Sequence, residues 1–118
     1  MITAEYAAWR PLFAQAFDSR FYTIEHLDFI ILKGGRFWSN DAAAIVAEIR
    51  TYPTGNRAVE GVVAAGELNG IVKLIPLAEA WGRENGAIAA KIESRTGWIK
   101  ALRNQGWEPF QTALMKGL

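Results

Sequence analysis

The sequence has no cysteine. Disulfide scaffolds, thiolate nucleophiles and zinc fingers are therefore excluded. It has one histidine, His26, so no site can rest on several imidazoles. An excess of one charge is also missing. Against 13 basic residues stand 12 acidic ones, a formal net charge of +1, and neither nucleic acid nor a membrane is an expected partner. Its apolar runs are far too short for a membrane span. Met1 to Glu5 have neither a basic stretch nor a long apolar one. The expectation is a soluble, cytoplasmic protein. There is no P-loop, no metal-ligand spacing and no serine-hydrolase elbow.

What remains is an ordinary globular composition. The chain has 118 residues, 51% hydrophobic and 21% charged, enough for one domain with one real core. Thr3 is an N-cap for a helix over 4–17, with Tyr6, Trp9, Phe13 and Phe17 on one face. Pro11 predicts a kink or two short helices. Thr23 caps a second amphipathic helix carried by Ile24, Leu27, Ile31 and Leu32, and Gly34-Gly35 stops it.

The period then changes. Phe37-Trp38-Ser39 reads as a short strand. Ala44 to Tyr52 alternates, with Ile45, Ala47 and Ile49 opposed to Glu48 and Arg50, which predicts a half-buried strand. Pro53-Thr54-Gly55-Asn56 is a turn, and Ala58 to Ala65 is the returning strand of a hairpin. Gly66 to Gly70 reads as a link to a helix ending near Asn85, with Ile71, Leu74, Ile75, Ala78 and Trp81 as its stripe and a kink at Pro76. Ala87 to Glu93 is a strand parallel to 58–65, because a helix crosses between them. A short helix over 95–104, a stop at Gly106 and a final strand over 110–118 complete the order. The fold class is α/β (α+β), one domain with a mixed, mostly antiparallel sheet flanked by helices.

Three stretches carry a family resemblance: the meander Ala44 to Pro53 with Val59 to Gly66, the strand-to-helix passage Val62 to Gly70, and Ile92 to Trp107. They resemble the GNAT (general N-acetyltransferase) superfamily. "EIRTYP", "AAGEL" and "SRTGW…GW" are similar to small GNAT-like proteins of phages and prophages. The resemblance implies acetyl-CoA or CoA as cofactor. CoA would lie between strands 58–65 and 87–93, with Val63, Ala64, Ala65 and Gly66 pairing to its pantetheine. Leu68, Asn69 and Gly70 would open the helix whose N-terminus holds the pyrophosphate.

The family pattern is only partly kept. In the frame Glu67 to Val72, Gly70 alone matches. Glu67 brings negative charge, and an acid near a pyrophosphate costs on the order of 1 kcal/mol. Val72 is branched where close approach is usual. Leu102, four residues before Gly106-Trp107, stands where the family often has a proton-donating tyrosine. Glu48 and Glu60 are the candidate general bases, each alternatively a carboxylate on a solvated sheet face. Arg95, with Lys100 and Arg103, is a candidate phosphate contact or a solvated helix face. His26 reads as a surface or packing residue.

Two functions follow. One is an acyl-CoA-dependent N-acyltransferase acting on a small-molecule or protein amine. The other is a catalytically inactive GNAT-shaped module for phage or prophage assembly, partnered by phage structural proteins or by itself. Glu67, Val72 and Leu102 motivate the second.

Overall fold

The structure is a computed structural model that describes residues 2–94 and 97–118. Helices α1 (Ala4–Ala16) and α2 (Ile24–Leu32) come first. Strands β1 (Arg36–Ser39), β2 (Ala43–Thr51) and β3 (Arg57–Gly66) follow, then α3 (Leu68–Glu84), β4 (Ala87–Lys91) and α4 (Gly97–Leu102). A 3₁₀ turn over Arg103–Gln105 ends at Gly106, whose φ of +84° suits glycine.

Both threonine caps form. The Thr3 hydroxyl accepts from the Tyr6 amide, and that of Thr23 from the His26 amide. Pro11 does not divide α1 into two helices. Pro11 and Ala7, whose carbonyl loses its donor, are both exposed, so water can replace the missing bond. On α2 the buried residues are Leu27, Ile30 and Ile31, while Leu32 is exposed.

The sheet order is β1-β2-β3-β4, antiparallel for the first two pairings and parallel for the last. Each face has its own core. Ile45, Ala47 and Val59 pack with Ile71, Leu74 and Ile75 of α3. Ala44 and Val46 pack on the other face with Tyr6, Phe13 and Leu27 of α1 and α2. The half-buried reading of β2 therefore fails for its first five residues, which are buried on both sides. None of the five tryptophans is fully buried. Four rim the α3 core and Trp9 rims the other.

Most boundaries shift by one or two residues from expectation, and three differences matter for the site. Helix α3 starts at Leu68, inside the expected link, and β4 stops at Lys91 rather than at 93. Residues 110–118 form no strand. A strand requires a ladder partner, and Phe110, Leu114 and Met115 instead stand exposed.

Candidate functional site

The parallel ladder of β3 and β4 is short. Pairing runs from Arg57 to Glu60 on β3 and reaches Lys91 on β4, and among the described residues it goes no further. From Gly61 to Gly66 the edge of β3 facing β4 has no strand beside it among the described residues. The two strands part there, and the gap leads into a cavity of about 80 Å³. Its lips are Gly61 to Ala64 and Lys91 to Glu93, and its floor is Ile71, Ile75 and Ala78 of α3.

A bulge shapes the upper lip. Val46 pairs with Val63 and Ala47 with Gly61, so Val62 is the extra residue on β3. Val62 and Val63 both pack toward α1 and α2, and Ala64 returns to the α3 side. Gly61 is small for a packing reason, since a Cβ there would lie 2.6 Å from Ile92 Cγ2.

Glu60 sits at the point where the strands part. Its directly opposed partner on β2 is Glu48, and its neighbour on β4 is Lys91. The Glu60 side chain is 17% exposed. Tyr52 donates its phenolic hydrogen to Glu60 and accepts from Lys91 Nζ at 2.9 Å. Arg50 Nη1 lies 3.5 Å from Glu60, and Arg50 Nη2 lies 3.4 Å from Glu48. The charge of Glu60 raises the pKa of the Arg50 guanidinium, and the Tyr52 hydrogen bond raises that of Lys91. Two carboxylates are thus held by two cations and a phenol on the α1–α2 side of the sheet, while the cavity lies on the α3 side.

Beyond the gap stands the first turn of α3. The amides of Leu68, Asn69 and Gly70 have no helical carbonyl in reach, and Glu67 makes no side-chain capping bond among the described residues. Asn40 fixes this turn. Its Oδ1 accepts from the Ala42 and Ala43 amides, and its Nδ2 donates to the Gly70 carbonyl at 3.0 Å. An Asx turn after a strand is readable from sequence, but its reach of 30 residues to α3 is not.

No protein-family model matches the chain, and no curated protein matches it. Solved structures do. An aminoglycoside N-acetyltransferase in complex with CoA is 15% identical, with 100% of this chain and 91% of that chain covered at a TM-score of 0.73. Glucosamine-6-phosphate N-acetyltransferase from Arabidopsis thaliana is 11% identical, with coverage of 96% and 90% and a TM-score of 0.69. An aminoglycoside acetyltransferase from an uncultured soil metagenomic sample, in complex with sisomicin, is 11% identical, with coverage of 99% and 93% and a TM-score of 0.65.

The chain has the GNAT fold.

The structure places the sequence candidates as follows, Arg95 excepted. Glu60 and Glu48 are brought together, Glu60 at the parting of the strands and Glu48 one strand away. Val63 and Ala64 line the cavity. Ala65 is buried against α1 and α2. Gly66 has φ +98° and turns the chain into α3, where a Cβ would lie 2.2 Å from the Ala42 carbonyl oxygen. Gly70, the one residue matching the GNAT phosphate pattern, is buried, and a Cβ there would meet Ala42 and Ala43 at 2.9 Å. Its smallness therefore serves helix–sheet packing. Val72 packs against the α3 core, so its branch does not stand on the outer side of the turn. Leu102 is 2% exposed in that same core. Arg95 falls outside the described residues. Tyr52 and Lys91 are the residues that sequence reading missed, because their meeting spans 39 positions.

Proposed function

We propose that this chain is an acyl-CoA-dependent N-acyltransferase acting on a primary amine. The observation that carries the reading is the parting of β3 from β4 at Glu60 and Lys91, with a cavity on one side of the sheet and a carboxylate network on the other.

The residues present fit a CoA thioester. The β3 edge over 61–66, which pairs with no strand on its β4 side among the described residues, offers backbone partners to an amide-bearing arm, and the first-turn amides of α3 offer donors to a pyrophosphate. Glu67 is exposed and uncapped, so its carboxylate can turn to solvent. When bound, the thioester supplies an activated acyl carbonyl. Glu60 faces the amine from the α1–α2 side and would accept the proton lost as nitrogen bonds to the acyl carbon, while the carbon–sulfur bond breaks and the thiolate leaves to be protonated by water. Arg50 and Tyr52 hold that carboxylate in place, and Glu48 adds negative charge that favours a cationic acceptor. Leu102, buried at the end of α4, occupies the family position for a general acid and cannot donate a proton, and rate comes chiefly from positioning. The sisomicin complex of one structural neighbour makes a small polyamine a sensible first acceptor to try.

Calorimetric titration with CoA and acetyl-CoA tests this, alongside thermal shift. A ligand at a hundred times its dissociation constant adds about 2.7 kcal/mol of stability. Micromolar binding followed by thiol release with an amine panel supports the reading. Absence of binding at millimolar CoA overturns it.

A second reading keeps the fold without the chemistry, as an assembly or interaction module for phage structural proteins or for a second copy. Phe110, Leu114 and Met115, exposed in the last segment, favour it. A stable oligomer that ignores CoA would select this reading.

A further inference from the structure

We propose that the cavity beneath the β3–β4 gap is an acyl pocket, and that the preferred thioester carries a chain of about three to four carbons rather than acetyl. The inference rests on the acyl-transfer reading and names its donor.

The cavity of about 80 Å³ opens beside the last paired residues, Glu60 and Lys91, and runs under α3. Its walls are Ile45 and Val59 of the sheet with Ile71, Ile75 and Ala78 of the helix, all buried and apolar. These five side chains offer an alkyl chain apolar contact from sheet and helix, and the lining also includes the polar groups of Glu79, Lys91, Glu93 and Trp107. The cavity is about half the size of an engineered cavity that takes benzene. An acetyl methyl would leave much of it empty, whereas a propionyl or butyryl chain would fill it. Ala78 is the small residue that α3 contributes to the lining, beside Ala47, Ala64 and Ala90 of the sheet, and the space over Gly61 is already used by Ile92.

One polar atom marks the orientation of the chain. Trp107 lines the cavity, and its Nε1–H is buried with no hydrogen-bond partner among the described residues. A buried donor without an acceptor is unfavourable. A thioester carbonyl whose alkyl chain lies in the cavity provides that acceptor.

The test is calorimetry on the full chain with CoA and its acetyl, propionyl, butyryl, hexanoyl and octanoyl thioesters. Affinity should rise about four-fold per added methylene as far as butyryl, then level or fall. Ala78→Val should return the preference to acetyl, and Ile75→Val should extend it by one carbon. The second variant decides if the first does not fold. Trp107→Phe should weaken every thioester while leaving CoA itself unchanged. Equal affinity for acetyl-CoA and butyryl-CoA, unmoved by either cavity variant, would overturn the pocket and leave the acyl-transfer reading standing. Failure of CoA and of every thioester to bind would overturn both.

Discussion

Glu48 and Glu60 stand directly opposite each other across the β2–β3 ladder, and Arg50 reaches both carboxylates. Directly opposed like charges destabilise a sheet. Here the cost is offset from the same strand, two residues along, where the alternation of β2 returns a side chain to the same face.

Removing that cation should therefore expose the repulsion. Arg50→Met is expected to lower stability by about 0.5–1 kcal/mol, a modest figure because the Arg50 side chain is 55% exposed. Adding Glu48→Gln should recover part of the loss. Urea unfolding midpoints of the two variants check this, and equal midpoints for single and double variants would show that the carboxylates do not feel each other.

On the acyl-transfer reading, the same carboxylates should separate in their effect on chemistry. Glu60→Gln should reduce kcat/KM for amine acylation by about 10²–10⁴-fold with thioester affinity retained. Glu48→Gln, one strand farther from the gap, should act mainly on KM for the amine. Steady-state kinetics with both substrates varied distinguishes the two.

Two glycines with positive φ should respond very differently to alanine. Gly86 has φ +79° with open space around it, so Gly86→Ala costs only the conformational strain of about 1 kcal/mol. At Gly66 the same strain is joined by a clash of 2.2 Å with the Ala42 carbonyl oxygen. Gly66→Ala should cost at least about 3 kcal/mol or prevent folding. Thermal denaturation of the pair is the measurement.

Asp28 gives a pH dependence with a definite sign. Hydrogen bonds from Arg10, and a further one from Tyr6, hold its carboxyl below the usual carboxylate range. A group whose pKa falls on folding contributes stability above its unfolded pKa and loses it as pH drops through the folded value. The melting-temperature gap between the wild type and Asp28→Asn should be full at pH 7 and should shrink below about pH 4. Tyr6 works in the opposite sense. Burial, with the Asp28 bond, raises its phenol, so its contribution is complete below the ordinary phenol range and fades as pH rises above it. A gap unchanged between pH 7 and pH 3 would refute the role given to Asp28.

Much of the fold was legible because it depends on neighbours in sequence. Thr3 and Thr23 cap their own helices, 53–56 turns its own hairpin, and a helix between two strands forces them parallel. What escaped reading depends on distant partners. Nothing in 110–118 shows that no strand edge will receive it. Ile30 and Leu32 look alike until the sheet decides which is covered. Glu60 was visible as a strand carboxylate, but Tyr52 and Lys91 come to it only through the fold. The bulge is hidden for another reason. Val62 to Ala65 are uniformly apolar, so no change of pattern marks the extra residue.

That extra residue sets where the chain can change length. Beyond Val62 the faces of β3 are counted from a shifted origin, so losing or gaining one residue between Glu60 and Gly66 would exchange Ala64 with Ala65. It would also rotate the start of α3 away from Asn40. The turn over 53–56 and the exposed segment after Trp107 face no such count. Natural variation in length should collect in those two places and leave β3 from Glu60 to Gly66 unbroken.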